Sequence, residues 1–174
     1  MDLAVARTMR QLLWAALLLG LFGCTDADNG PPCAVSVSLS GYITATMPEE
    51  ITCGGRIGAI ELLFQPEAEG HPIGGFLIVV EAVERGETGD FPATITVFGA
   101  EGGVFETDTC SVTIEEHRNL GQVCYHEGHG IVCEDVDNYR VRGRGECRTP
   151  ARDPTGVPVT VGPFEFSAEM WWPR

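Results

Sequence analysis

From Val35 onward, apolar side chains recur at every second residue in one segment after another, and an extended strand is the backbone that sends alternate side chains to opposite faces. Val35, Val37 and Leu39 alternate with Ser36, Ser38 and Ser40 before Gly41, and Tyr42 to Met47 continues the pattern after a bend. Thr94 to Phe98, Thr109 to Glu116 and Phe164 to Trp172 repeat it, the last with Phe164, Phe166, Ala168, Met170 and Trp172 on one face. Phe76 to Val80 is apolar throughout, which predicts a strand buried on both sides. Ile57, Ile60 and Phe64 have helix-like spacing, but Gly58 and the β-branched residues there favour a strand. The chain has 22 glycines and 11 prolines and no fixed-period repeat, which argues against a propeller or solenoid. Short strands of this kind build an antiparallel sandwich or barrel. The expected fold class is all-β, an antiparallel β-sandwich.

The first residues follow a different pattern. Arg7 and Arg10 precede an apolar run of eleven residues, Leu12 to Phe22, after which Gly23 leads into Cys24. A bilayer core needs about twenty apolar helical residues, so this run suits a cleaved signal peptide better than a permanent span. Leu21-Phe22-Gly23-Cys24 resembles the lipobox of bacterial lipoproteins. The resemblance implies a lipid on the Cys24 thiol, cleavage before it and acylation, such as palmitate, of the new amino terminus. It covers the leader alone and says nothing of the fold beyond. An ordinary secretory signal with an incidental cysteine is the plainer alternative.

Residues 1–23 are thus expected to be removed, 24–32 to form the lipidated cysteine and a tether, and 33–174 to form one β domain. The tether, TDADNGPP, is polar and ends in a stiff Pro-Pro, so its eight residues reach at most about 27 Å. In enteric lipoproteins an aspartate after the lipidated cysteine is associated with inner-membrane retention; Thr25 stands there, so by the same resemblance an outer-membrane location in the bacterial cell envelope is favoured.

The cysteine count agrees. Seven is odd, and assigning Cys24 to lipid leaves Cys33, Cys53, Cys110, Cys124, Cys133 and Cys147, which can pair completely in an oxidising compartment. Taking Gly128-His129 as a two-residue hairpin turn sets Glu127 opposite Gly130, His126 opposite Ile131, Tyr125 opposite Val132 and Cys124 opposite Cys133. Cys124 and Cys133 then fall at a non-hydrogen-bonded site, where side chains approach closely enough for a disulfide. The other four cysteines allow three connectivities, of which Cys33–Cys53 with Cys110–Cys147 is preferred.

The same segment has a second chemical meaning. Cys124, His126, His129 and Cys133 carry the two sulfurs and two imidazoles of a tetrahedral zinc site, but their spacing matches no common zinc finger, and exported thiols tend to be oxidised. The expectation is no metal and no cofactor. Asp135-Val136-Asp137-Asn138 hints at calcium without completing a ligand loop.

Arg140, Arg142 and Arg144 lie at every second position, hence on one strand face, opposite Tyr139, Val141, Gly143, Gly145 and Cys147. They would form an anion site for a charged polysaccharide or a partner's acidic surface, or pair with glutamates across a solvated sheet. Trp171 and Trp172 point to opposite sides of a strand, one completing the core and one at the surface, where an indole could stack on a sugar.

The formal net charge is −14, and loss of Arg7, Arg10 and Asp2 with the leader makes it −15. Such a domain repels phosphates, so nucleic acid is not an expected partner, and membrane attachment falls to the lipid. There is no lysine and hence no Walker A loop, and no GxSxG elbow is present. Taken together, these features describe a lipid-anchored envelope protein whose β domain binds a polysaccharide or an envelope protein, or serves a structural role. The alternatives are a periplasmic hydrolase or metal-dependent enzyme using His126 and His129, and a subunit of an envelope assembly.

Overall fold

A computed structural model describes residues 33–127 and 130–174. The leader, Cys24, the tether and the Gly128-His129 turn lie outside the described residues. Twelve strands and no helix occur among those described: β1 (Ala34–Ser36), β2 (Ser38–Gly41), β3 (Ala45–Thr46), β4 (Ile51–Gly55), β5 (Ile60–Pro66), β6 (Ile73–Val80), β7 (Gly89–Gly99), β8 (Val104–Glu127), β9 (Gly130–Cys147), β10 (Ala151–Arg152), β11 (Pro158–Val161) and β12 (Phe164–Pro173).

Three of these breaks interrupt single long strands. β12 pairs with β1 and β11 with β2, while β9 pairs with β12 and β10 with β11, so β1/β2, β9/β10 and β11/β12 each run on along one line. Pro150 and Pro163 stand in two of the gaps, where a missing N–H costs a ladder bond. Next to Pro163, the Gly162 N–H still donates to the Ser38 carbonyl at 2.9 Å.

All pairings are antiparallel and belong to one sheet, in the order β3-β2-β11-β10-β8-β7-β6-β5-β4, with β9, β12 and β1 continuing the interrupted lines. This order places β3 and β4 eight strand spacings apart, roughly 38 Å across a flat sheet. Yet only Met47–Glu50 connect them, a link that reaches at most about 18 Å. The sheet must curl, and it forms a curled half-barrel. A second tie is Cys33–Cys53, with Cα atoms 5.9 Å apart, which joins the start of β1 to β4. The expected all-β, disulfide-stapled class is borne out, and the described strands form one hydrogen-bonded sheet whose concave face packs the core.

Alternation fills that face. In β12, Phe164, Phe166, Ala168, Met170 and Trp172 are buried, as the sequence pattern predicts, and Phe164 meets Phe76 of β6 edge-on at 5.5 Å. In β6 the continuous apolar run is buried on one side only: Phe76, Ile78 and Val80 are in the core while Leu77 and Val79 are half-buried. Being apolar does not cover a side chain when the sheet has no second layer outside it. Ile60–Pro66 is a strand, with Ile57 exposed in the preceding turn.

The glycines on either side of Arg144 in β9 have a steric cause. Gly143 lies opposite Phe166 and Gly145 opposite Phe164, and both rings fold back over these positions. A methyl at 143 would stand 3.0 Å from Phe166 Cζ, and one at 145 would enter the Phe164 ring.

Candidate functional site

The Arg140, Arg142 and Arg144 side chains project from the outer face of β9, each matched with a glutamate. Arg140 Nη2 donates to Glu169 Oε1 at 2.8 Å across to β12, and Asn138 Nδ2 donates to the other oxygen of the same carboxylate at 2.7 Å. The hydrogen bond to Glu169 raises the Arg140 guanidinium above its ordinary pKa. Arg142 Nη2 and Arg144 Nε converge on Glu115 of β8, at 3.5 and 3.6 Å. Ser36, Glu49, Glu115, Arg142 and Ser167 line a shallow groove of about 710 Å³. Arg144, Ser36 and Glu165 line both this groove and a second one of about 540 Å³ that passes Thr113 and Glu146. Phe166 lines the first groove and Phe164 the second, but at 3% and 2% exposed they offer no open aromatic platform, and carboxylates outnumber guanidiniums in both, so the stripe forms a cross-strand ion-pair ladder.

The tryptophans divide as expected of adjacent strand residues. Trp172 is 8% exposed and Trp171 37% exposed. Trp172 is part of a buried polar group that sequence reasoning missed. His117 is 6% exposed, packed 5.1 Å from the Tyr139 ring and 5.1 Å from that of Trp172. Its Nδ1 lies 3.3 Å from the Glu87 carbonyl, which can only accept, so the proton sits on Nδ1 and Nε2 is left as an acceptor without a partner. Burial pushes the imidazole below its ordinary pKa, opposed by the bond to the Glu87 carbonyl and by the Glu87 charge. Beside it, Asn119 Nδ2 donates to Asp137 Oδ2 at 3.1 Å and to the Tyr139 hydroxyl at 3.2 Å, and Arg174 Nε lies 3.0 Å from Asp137 Oδ1. The two grooves do not reach this group, and its contacts fasten the loop that carries Glu87 onto the sheet.

Beyond this point β8 and β9 leave the sheet as a two-stranded arm. The last pairing of β7 with β8 is at Ile114, and that of β12 with β9 is at Val136. At the far end the register is the one counted back from the turn: Cys124 opposite Cys133, Tyr125 opposite Val132, His126 opposite Ile131 and Glu127 opposite Gly130. The Cys124–Cys133 disulfide spans it, with Cα atoms 4.0 Å apart. The Tyr125 hydroxyl donates to Glu134 at 3.1 Å, which pushes the phenol above its ordinary pKa. Leu120, Tyr125, Ile131 and Val132 are exposed there, Ile131 at 67%.

The zinc set does not assemble in this oxidised state: Cys124 and Cys133 share a disulfide, His126 is exposed, and His129 lies outside the described residues. Among the described residues no three His, Cys, Asp or Glu side chains converge on a metal position. Asp137 of the calcium-like stretch is engaged by Asn119 and Arg174 instead.

Comparison with family models, curated proteins and solved structures yields no match to this chain.

Proposed function

We propose that this is a lipid-anchored protein of the bacterial cell envelope, favouring the outer membrane, whose half-barrel presents the β8–β9 arm to an envelope partner. The observation that carries the anchor is the pairing of the other cysteines. Cys33–Cys53, Cys110–Cys147 and Cys124–Cys133 use all six, leaving Cys24 as the one cysteine of the seven for a lipid. The lipobox residues before it and the polar tether after it fit the same purpose. The binding role rests on the arm, which places four large apolar side chains in solvent where they contribute nothing to the core.

Growth with an alkyne-bearing palmitate analogue, followed by dye coupling and membrane fractionation, tests the anchor. The wild-type chain should take up label and partition with outer membranes. Cys24→Ser should lose both label and membrane association. Label retained by Cys24→Ser would rule the anchor out.

A further inference from the structure

The three disulfides are not equivalent. Cys110 is buried in the core, and Cys33, Cys53 and Cys147 pack against it. Cys124 and Cys133 are both exposed, on an arm flanked by no other strand. The arm also has closures of its own. Gln122 Nε2 donates to the Glu134 carbonyl at 2.9 Å, and the Tyr125 hydroxyl bonds to the Glu134 carboxylate. Opening the Cys124–Cys133 bridge therefore releases a short ribbon and leaves the half-barrel whole.

The geometry points to Cys124–Cys133 as a thiol-exchange site whose reactant is a thiolate carried next to positive charge. An incoming thiolate bonds to one of the two sulfurs, the protein S–S bond breaks, and the other cysteine leaves as a thiolate that takes a proton from water. A second equivalent of the same thiol attacks the mixed disulfide, releasing the oxidised thiol pair and leaving two protein thiols. The thiol is oxidised and the bridge reduced. Selectivity comes from charge: the described residues of the two-stranded arm, 123–127 and 130–135, include Glu127, Glu134 and Asp135 but no arginine, and Arg174, whose N–H donates to the Asp135 carbonyl, has its guanidinium on Asp137. These carboxylates repel an anionic thiol such as glutathione and attract an aminothiol such as cysteamine. This inference does not depend on the lipid anchor.

The test uses the full chain in detergent, exposed to cysteamine or to glutathione at matched thiolate concentration, quenched by alkylation and read by peptide mass spectrometry. Cys124 and Cys133 should be alkylated about tenfold sooner than the other four cysteines, with the strand circular dichroism unchanged. Cysteamine should outpace glutathione by a margin that shrinks with added salt. Equal opening rates for the three bridges, or loss of the sheet signal as the arm opens, would overturn the site. A faster reaction with glutathione would overturn the assigned thiol class. Cys124→Ser/Cys133→Ser should fold with both remaining bridges intact and lose the fast phase of thiol consumption; persistence of that phase would also overturn the site.

Discussion

Phe164 and Gly145 face each other across β12 and β9, and the phenyl ring occupies the space a side chain at 145 would fill. That same Cβ would lie 2.9 Å from the Ser111 carbonyl, so the sheet leaves no direction in which to yield. Gly145→Ala should destabilise the domain by about 1–3 kcal/mol, the usual cost of overpacking a fitted core. Urea denaturation of the alanine variant measures it, and Gly54→Ala, where a Cβ meets nothing within 4 Å, provides the control.

The Cys33–Cys53 bridge closes a separation of 20 residues and ties β1 to β4. Removing both sulfurs as Cys33→Ala/Cys53→Ala should cost about 2–4 kcal/mol, chiefly by freeing the unfolded chain. Thermal unfolding should show a lowered midpoint for this pair and little change when the Cys124–Cys133 pair is removed in the same way.

His117 sets a pH dependence of definite sign. Burial holds its folded-state pKa below the ordinary 6.5, so the unfolded chain binds the proton more readily. The stability it contributes is complete above about 6.5 and is lost as pH falls through that value towards the folded-state pKa. Glu87, Asp137, Tyr139 and Arg174 are the titratable or charged groups around the cluster. Urea midpoints measured from neutral to mildly acidic pH should fall for wild type, and His117→Phe should flatten that slope.

The arginine ladder is graded. Arg140 meets a Glu169 side chain only 12% exposed, whereas Glu115, which Arg142 and Arg144 share, is 35% exposed. Arg140→Ala should lower the urea midpoint more than Arg144→Ala, whose partner is well solvated. Added salt should bring the Arg144→Ala variant and wild type together.

Alternation was readable wherever a strand ran without a bulge, as at β12, whose five inward side chains follow the sequence pattern. The hairpin register was readable too, because it is counted outward from its own turn. His117 was not. A register shift between Ile114 and Glu116 changes which residues face inward, so simple alternation from Cys110, Val112 and Ile114 points to Glu116 while the fold buries His117. The half-barrel was equally hidden, since its curl follows from which strands lie at the two edges, and pairing between distant segments decides that. The arginines could be named from sequence and glutamates foreseen as partners, but not that these are Glu169 and Glu115 or that Glu115 serves two cations.

The position of β1 and β2 sets the order of events when the domain forms. These first strands have as their neighbours β12 and β11, the last of the twelve in chain order, and the two-residue β3. Until the C-terminal segment arrives, residues 34–41 have almost nothing to pair with, and their hydrogen-bonding edge stays open. Folding is therefore expected to be slow for the domain's size and to wait until residues 158–167 are in place. A domain cut before Phe164 loses β12 and also strips β1 of its partner, so damage at one end of the sheet's sequence is registered at the other.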